Sequence, residues 1–223
     1  MPLIGMSLKE PACYIIGAGE NFGLDFQVNP GDYVIAADGG LVYLEDQGID
    51  ADLVIGDFDS LGIKPYHSNV IALEGEKDDT DMFAAVREGI VKGYNVFYIY
   101  CGTGGRIEHT LANIQTLGFL AQSGKMGFLV SQSSNITVIA DGIISFDSSC
   151  TGYISVFSYS QTAIGVSIKG LKYELDNQTL TNTFPIGTSN EFIGTGSTIS
   201  VTEGALTIVF PKLAAVPTFH TTT

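Results

Sequence analysis

Along the first 130 positions the hydrophobic residues fall in short strand-type runs at 13–16, 33–37, 52–55, 70–73, 95–100 and 128–130. A strand covered on both faces reads as a continuous apolar stretch rather than an alternating one, so these runs predict parallel strands. Two stretches between them carry helical periodicity. Phe83, Val86 and Ile90 form an i, i+3, i+7 stripe that stops at Gly93. Ile107, Leu111, Ile114 and Gly118 form a second apolar stripe, predicted to be buried, with Arg106, His109, Thr110 and Asn113 on an adjacent polar one. Strands alternating with helices predict an open, mostly parallel, Rossmann-like α/β sheet.

The pattern changes after about residue 140. Helical periodicity disappears, Ser, Thr and Gly rise, and short alternating runs take over at 153–159, 163–168, 171–175, 198–202 and 205–209. Asp176-Asn177 and Glu203-Gly204 read as turns between them. This predicts an antiparallel β-sandwich. The expected organisation is an α/β domain over 1–138, a β-sandwich domain over 139–213 and a disordered tail over 214–223, with the switch inside 131–145.

Composition narrows the function. The formal net charge is −14, and the ten Lys and Arg residues are scattered, so no basic face for nucleic acid or an anionic membrane is expected. The three cysteines, Cys13, Cys101 and Cys150, form no CxxC pair. Buried free thiols in a reducing cytoplasm are expected, rather than zinc or a disulfide framework. No apolar stretch approaches the length of a transmembrane helix, and the N-terminal pattern is not that of a signal peptide.

The candidate chemistry lies at the ends of the predicted strands. Asp38-Gly39-Gly40 follows the second, and Gly56-Asp57-Phe58-Asp59-Ser60 ends the third. Lys77-Asp78-Asp79-Thr80-Asp81 then opens the first helix. Carboxylates repel one another, so clustering them is unfavourable unless a cation joins them. Oxygen ligands suit magnesium, which shares its coordination with water and substrate phosphates. Gly102-Thr103-Gly104-Gly105-Arg106 joins a strand to a helix, where free backbone N–H groups attract phosphate and Arg106 adds a bidentate donor. In an open α/β sheet, ligands bind beyond the carboxyl ends of the strands, and Asp38, Asp57, Asp59 and Gly102 to Gly105, which follow strands directly, fit that edge. The residues therefore point to a magnesium–polyphosphate site. Gly187-Thr188-Ser189-Asn190-Glu191, by its chemistry alone, reads as an ordinary loop.

Taken in order, Asp38-Gly39-Gly40, Gly56-Asp57-Phe58-Asp59-Ser60, Asp78-Asp79-Thr80-Asp81 and the run from Gly104 to Asn113 resemble thiamine pyrophosphokinase in its bacterial form. The resemblance spans residues 13 to about 118 and continues more loosely to about 210. It implies an ATP-binding α/β domain, a β domain that completes the thiamine site, and a homodimer with thiamine sites at the subunit interface. It implies transfer of the β,γ-pyrophosphoryl group of ATP to the thiamine hydroxyl. By the same resemblance Asp57, Asp59 and Asp81 ligate Mg2+, and Asp78 is a further ligand or a proton acceptor. Lys77, Arg106 and the Gly102, Gly104 and Gly105 turn, with His109, Thr110 and Asn113, hold ATP. Asp38 lies near the reacting centre, and Ser189 and Asn190 contact thiamine. Animal relatives stack thiamine on a tryptophan; this chain has none, and Phe184, Phe192 and Tyr173 are the candidates in its place. Two other readings stand alongside. One is a haloacid-dehalogenase-type phosphatase, whose first motif the stretch from Val54 to Leu61 also resembles. The other is a non-catalytic thiamine or nucleotide sensor.

Overall fold

The structure is a computed structural model that describes residues 10–58, 66–74, 79–212 and 217–221. Two compact units emerge from its contacts. One comprises Pro11–Thr116 with Gly127–Gln132, and the other comprises Leu117–Met126 together with the chain from residue 133 onward.

The N-terminal unit is built on strands β1 (Ala12–Ile16), β2 (Tyr33–Ala37), β3 (Leu53–Gly56), β4 (Val70–Ala72), β5 (Val96–Tyr100) and β6 (Met126–Val130). Helix α1 (Gly40–Asp46) follows β2, α2 (Asp81–Val91) follows β4, and α3 (Ile107–Gln122) follows β5. The strand order is β6-β5-β1-β2-β3-β4, and the β5-β1-β2-β3-β4 pairs are parallel. The chain leaves β1 toward β4 on one side and returns to β5 on the other. The crevice between β1 and β5 is therefore a topological switch point, where such sheets bind ligands.

Successive residues of a strand face opposite sides, and the two helices divide accordingly. Leu41 and Leu44 of α1 pack with Ile16, Val34, Ala36 and Val54. Gly89 of α2 presses on the other face, where an added Cβ would lie 2.6 Å from the Phe97 ring and 2.9 Å from Cys13 Sγ. The α2 stripe is offset by one from the sequence reading: Met82, Ala85, Val86 and Gly89 are the buried positions. Thr80 caps this helix, its Oγ1 accepting from the Phe83 N–H at 3.1 Å.

The reading of α3 is corrected more strongly. Ile107 and Leu111 are 67% and 57% exposed, while Asn113, Thr116, Leu117 and Leu120 are buried. Asn113 tolerates burial because its Nδ2 donates to the Gly102 carbonyl at 2.7 Å.

The C-terminal unit contains β7 (Ser134–Ala140), β8 (Gly142–Phe146), β9 (Tyr153–Ser158), β10 (Thr162–Lys169), β11 (Leu175–Thr181), β12 (Asn190–Glu191), β13 (Ser197–Ser200), β14 (Ala205–Pro211) and β15 (Thr218–Thr221). Antiparallel pairs join them in the orders β12-β9-β14-β7 and β11-β10-β13-β8-β15. Phe146 stands edge-on to both Phe192 and Phe210, with ring centroids 5.3 and 5.2 Å away, and ties β8 to β14 across the core. The fold is thus two-part, an α/β sheet followed by an antiparallel sandwich.

Two local expectations fail. Asp176-Asn177 is not a turn between strands but lies inside β11, where Asn177 takes φ 49° opposite a register shift in β10. Asn adopts this left-handed backbone readily, so the residue pair marks a bulge. The expected disordered end contains β15, which pairs Phe219 with Ile144 of β8. β-Branched and aromatic residues suit such a strand. Among the described residues no helix is long and apolar enough to cross a membrane.

Candidate active site

The carboxyl edge of the N-terminal sheet encloses a cavity of about 640 Å³. Its lining comes from the ends of β1, β2, β3 and β5 and the starts of α2 and α3. Three residues that follow these strands are left-handed without being glycine, and two of them, Asp38 and Cys101, line the cavity. Asp38 has φ 51°, Phe58 φ 59° and Cys101 φ 52°. Such backbone carries strain, which is usual where a fold aims side chains at a site.

Asp38 and Asp57 are brought together by close backbone packing. The Asp38 N–H donates to the Ile55 carbonyl at 2.8 Å. Gly56 lies so near that a Cβ on it would sit 3.0 Å from Asp38 Cα. Phe58 turns back into the core and anchors the peptide that carries Asp57. Asp81 enters from the first turn of α2, where the helix dipole favours a carboxylate. One carboxylate oxygen from each of Asp38, Asp57 and Asp81 lies within 4.8 Å of the others, and all three residues are half-buried. Three hard oxygen donors at this spacing fit a divalent cation of the magnesium type. Asp79 is turned differently, accepting a 2.7 Å ion pair from Arg87. Asp59, Lys77 and Asp78 lie outside the described residues.

The glycine-rich turn faces these carboxylates. Gly104 and Gly105 are consecutive left-handed residues, with φ 80° and 55°, which glycine adopts without penalty. Gly102 is walled in: a Cβ there would lie 2.8 Å from Leu129 Cδ1 and 2.9 Å from Asn113 Nδ2. Arg106 lines the cavity with its Nε paired to Glu108 at 2.7 Å. That pairing holds the Glu108 carboxyl below its ordinary range. His109 and Asn113 also line the cavity. Thr110 does not, and its Oγ1 is buried without a hydrogen-bond partner.

The sequence reading missed the β1 end of this cavity. Gly17, Gly19 and Glu20 line it, as do Tyr43 and Met82. The Gly19 N–H donates to the Cys101 carbonyl at 2.8 Å, and Tyr43 Oη donates to the Gly19 carbonyl at 3.0 Å. Glycines after a strand gave a signal, but only the sheet order sets them beside β5.

In the C-terminal unit, Ser189 is exposed at φ 59° with its N–H on Ser155 Oγ at 3.0 Å. Asn190 is buried, and its amide is committed to the backbone of Tyr173. Lys172 pairs with Glu191 at 2.7 Å, which raises the lysine's pKa. Of the aromatic candidates, Phe192 is 6% exposed and belongs to the core, whereas Tyr173 and Phe184 are 62% and 65% exposed.

Comparison with known proteins gives this arrangement a family. Residues 27–127 match the thiamin pyrophosphokinase catalytic domain, and residues 141–206 match the thiamin pyrophosphokinase vitamin B1 binding domain. The chain belongs to the thiamin pyrophosphokinase family. The thiamine pyrophosphokinase of Bacillus subtilis (strain 168) is 29% identical over 182 residues, covering 78% of this chain and 85% of that protein. A crystal structure of thiamine pyrophosphokinase from Bacillus subtilis superposes with a TM-score of 0.79 at 26% identity, over 90% of this chain and 98% of that one. The Enterococcus faecalis family member superposes with a TM-score of 0.75 at 26% identity, over 92% and 100%. The family assignment leaves the phosphatase and sensor readings without support. The catalytic-domain match includes Asp38, Asp57, Asp81 and the turn from Gly102 to Arg106, and begins after Glu20.

Proposed function

We propose that this chain transfers the β,γ-pyrophosphoryl group of ATP to the hydroxyl of thiamine, releasing AMP and thiamine diphosphate. The observation that carries the reading is the convergence of Asp38, Asp57 and Asp81 beside a glycine-rich turn in one cavity of a thiamin pyrophosphokinase-family fold.

Asp38, Asp57 and Asp81 would hold Mg2+, with Asp59 and Asp78 as further carboxylates implied by the resemblance. When bound, the ion neutralises phosphate charge and orients the β-phosphorus. The turn at Gly104 and Gly105, with Arg106 and Lys77, holds the phosphate oxygens. His109 and Asn113 lie further along the same wall and fit the rest of the nucleotide. Little covalent chemistry is asked of the protein, since pyrophosphoryl transfer needs alignment and charge neutralisation. The thiamine oxygen bonds to the β-phosphorus, the bond to the α,β-bridging oxygen breaks, and that oxygen leaves with AMP. The hydroxyl proton passes to a carboxylate, a role that the family resemblance gives to Asp78. The thiazolium is a fixed cation, and an acidic cavity suits it.

For thiamine itself, Ser189 is the exposed polar contact, and Tyr173 and Phe184 are the aromatic faces available. Asn190 acts indirectly, by holding the Tyr173 backbone. A cytoplasmic homodimer belongs to the same reading. It is supported by three buried free cysteines and by exposed apolar residues including Tyr153, Ile186 and Ile193. Product analysis with ATP, thiamine and Mg2+ tests the reaction. Equal amounts of AMP and thiamine diphosphate, abolished by EDTA, are expected; inorganic phosphate without thiamine diphosphate would overturn it.

A further inference from the structure

The anion-binding amide of the glycine-rich turn already has an anion on it. The Gly105 N–H donates to Glu20 Oε1 at 2.8 Å. The same carboxylate lies flat against Gly104, where an added Cβ would be 2.5 Å from Glu20 Cδ and 2.8 Å from Oε2. The approach is built into the backbone. Gly19 N–H bonds to the Cys101 carbonyl at 2.8 Å and Glu20 N–H to the Thr103 carbonyl at 3.3 Å, so the segment after β1 is tied alongside the turn. Glu20 lines the same cavity as Asp38, Asp57, Asp79 and Asp81. Arg106, the cation beside this turn, is paired with Glu108 instead.

Resting on the reading above, we propose that Glu20 is an affinity-determining residue: its carboxylate occupies the Gly105 amide in the free protein and is displaced by a phosphate oxygen of ATP. Carboxylate and phosphate present the same chemistry to a backbone N–H, that of an anionic oxygen. Both cannot hold the one N–H of Gly105 with full geometry. Glu20 also adds a negative charge where a polyphosphate must enter, and like charges at short range are unfavourable. Before the nucleotide arrives, the Glu20 side chain holds the Gly105 N–H. After the nucleotide leaves, it returns. The result is a lower nucleotide affinity than the turn alone would give.

Equilibrium titration of the full-length protein with ATP in the presence of Mg2+, and separately with adenosine, tests this. Glu20→Gln keeps the shape and an oxygen acceptor but loses the charge. Glu20→Ala loses both. ATP is expected to bind the variants about three- to tenfold more tightly than wild type, the effect of removing one exposed charge-assisted competitor. Adenosine, which carries no phosphate, should bind all three alike. Glu20→Asp, one methylene shorter, should also tighten ATP binding and serves if Glu20→Ala does not fold. Unchanged or weaker ATP binding by folded Glu20→Gln, or an equal change for adenosine, overturns the role of Glu20 while wild-type ATP binding leaves the proposed function intact. Failure of wild type to bind ATP overturns both.

Discussion

The side-chain amide of Asn190 grips the backbone of Tyr173 from both sides. Its Oδ1 accepts from the Tyr173 N–H at 2.9 Å, and its Nδ2 donates to the Tyr173 carbonyl at 2.7 Å. Oδ1 also accepts from the Glu191 N–H at 2.9 Å. A two-residue strand, β12, is thereby tied to the loop that displays an exposed tyrosine and Lys172. Asn190→Ala would take this partner away from three part-buried backbone groups. It is expected to lower stability by about 1–3 kcal/mol in urea denaturation and to raise the KM for thiamine more than that for ATP. Equal effects on both substrates would remove Asn190 from the thiamine loop.

Asp38 depends on Gly56 in the same way. A methyl at residue 56 would lie 3.0 Å from Asp38 Cα and 3.1 Å from its N. Backbone must shift to accept it, and the shift acts on the carboxylate trio. Gly56→Ala is expected to lower kcat about 100-fold while the protein stays folded, because small misplacements at a reacting centre weigh heavily. Wild-type turnover in a folded Gly56→Ala would show that the spacing of Asp38 and Asp57 is not critical.

The trio also predicts a dissociation of stability from activity. Without metal, Asp38, Asp57 and Asp81 repel one another within 4.8 Å. Asp57→Asn should melt at the same or a higher temperature than wild type in EDTA, yet turn over orders of magnitude more slowly with Mg2+. Mg2+ should raise the melting temperature of wild type and do so less for the variant. Equal stabilisation of both would place the ion elsewhere.

Much of this site was legible because it is local. Asp57 stands directly after an apolar strand, and Asp81 opens a helix. The turn at Gly102 to Arg106 joins a strand to a helix within a few residues. Glu20 was not legible, because its place depends on β1 lying next to β5, which is about eighty residues away along the chain. The face of α3 was misread for a related reason. Ile107 and Leu111 are the more hydrophobic choice, but burial follows the tertiary environment, and Asn113 is satisfied there by the Gly102 carbonyl. In the second half, β15 and the bulge at Asn177 escaped because strand pairing is non-local and left-handed Asn looks like a turn.

The buried thiols predict the alkaline limit of stability. Burial pushes Cys101 from 9.0 up to about 11, and burial followed by the Asp52 charge raises Cys13 further. A group whose pKa is raised on folding stabilises the fold below its unfolded pKa. That contribution disappears as pH climbs through the folded value, because the unfolded chain ionises first. Stability to urea should therefore hold to about pH 9 and fall between pH 9 and 11. Cys101→Ala should reduce the slope of that fall; an unchanged slope would remove the thiol as its cause.

In the proposed reaction two phosphoryl units move together from ATP to thiamine. Incubation with thiamine, Mg2+ and ATP labelled in its γ-phosphate tests this most directly. Label in thiamine diphosphate, with unlabelled AMP as the second product, is expected. Label released as inorganic phosphate, or thiamine monophosphate formed with ADP, would contradict it.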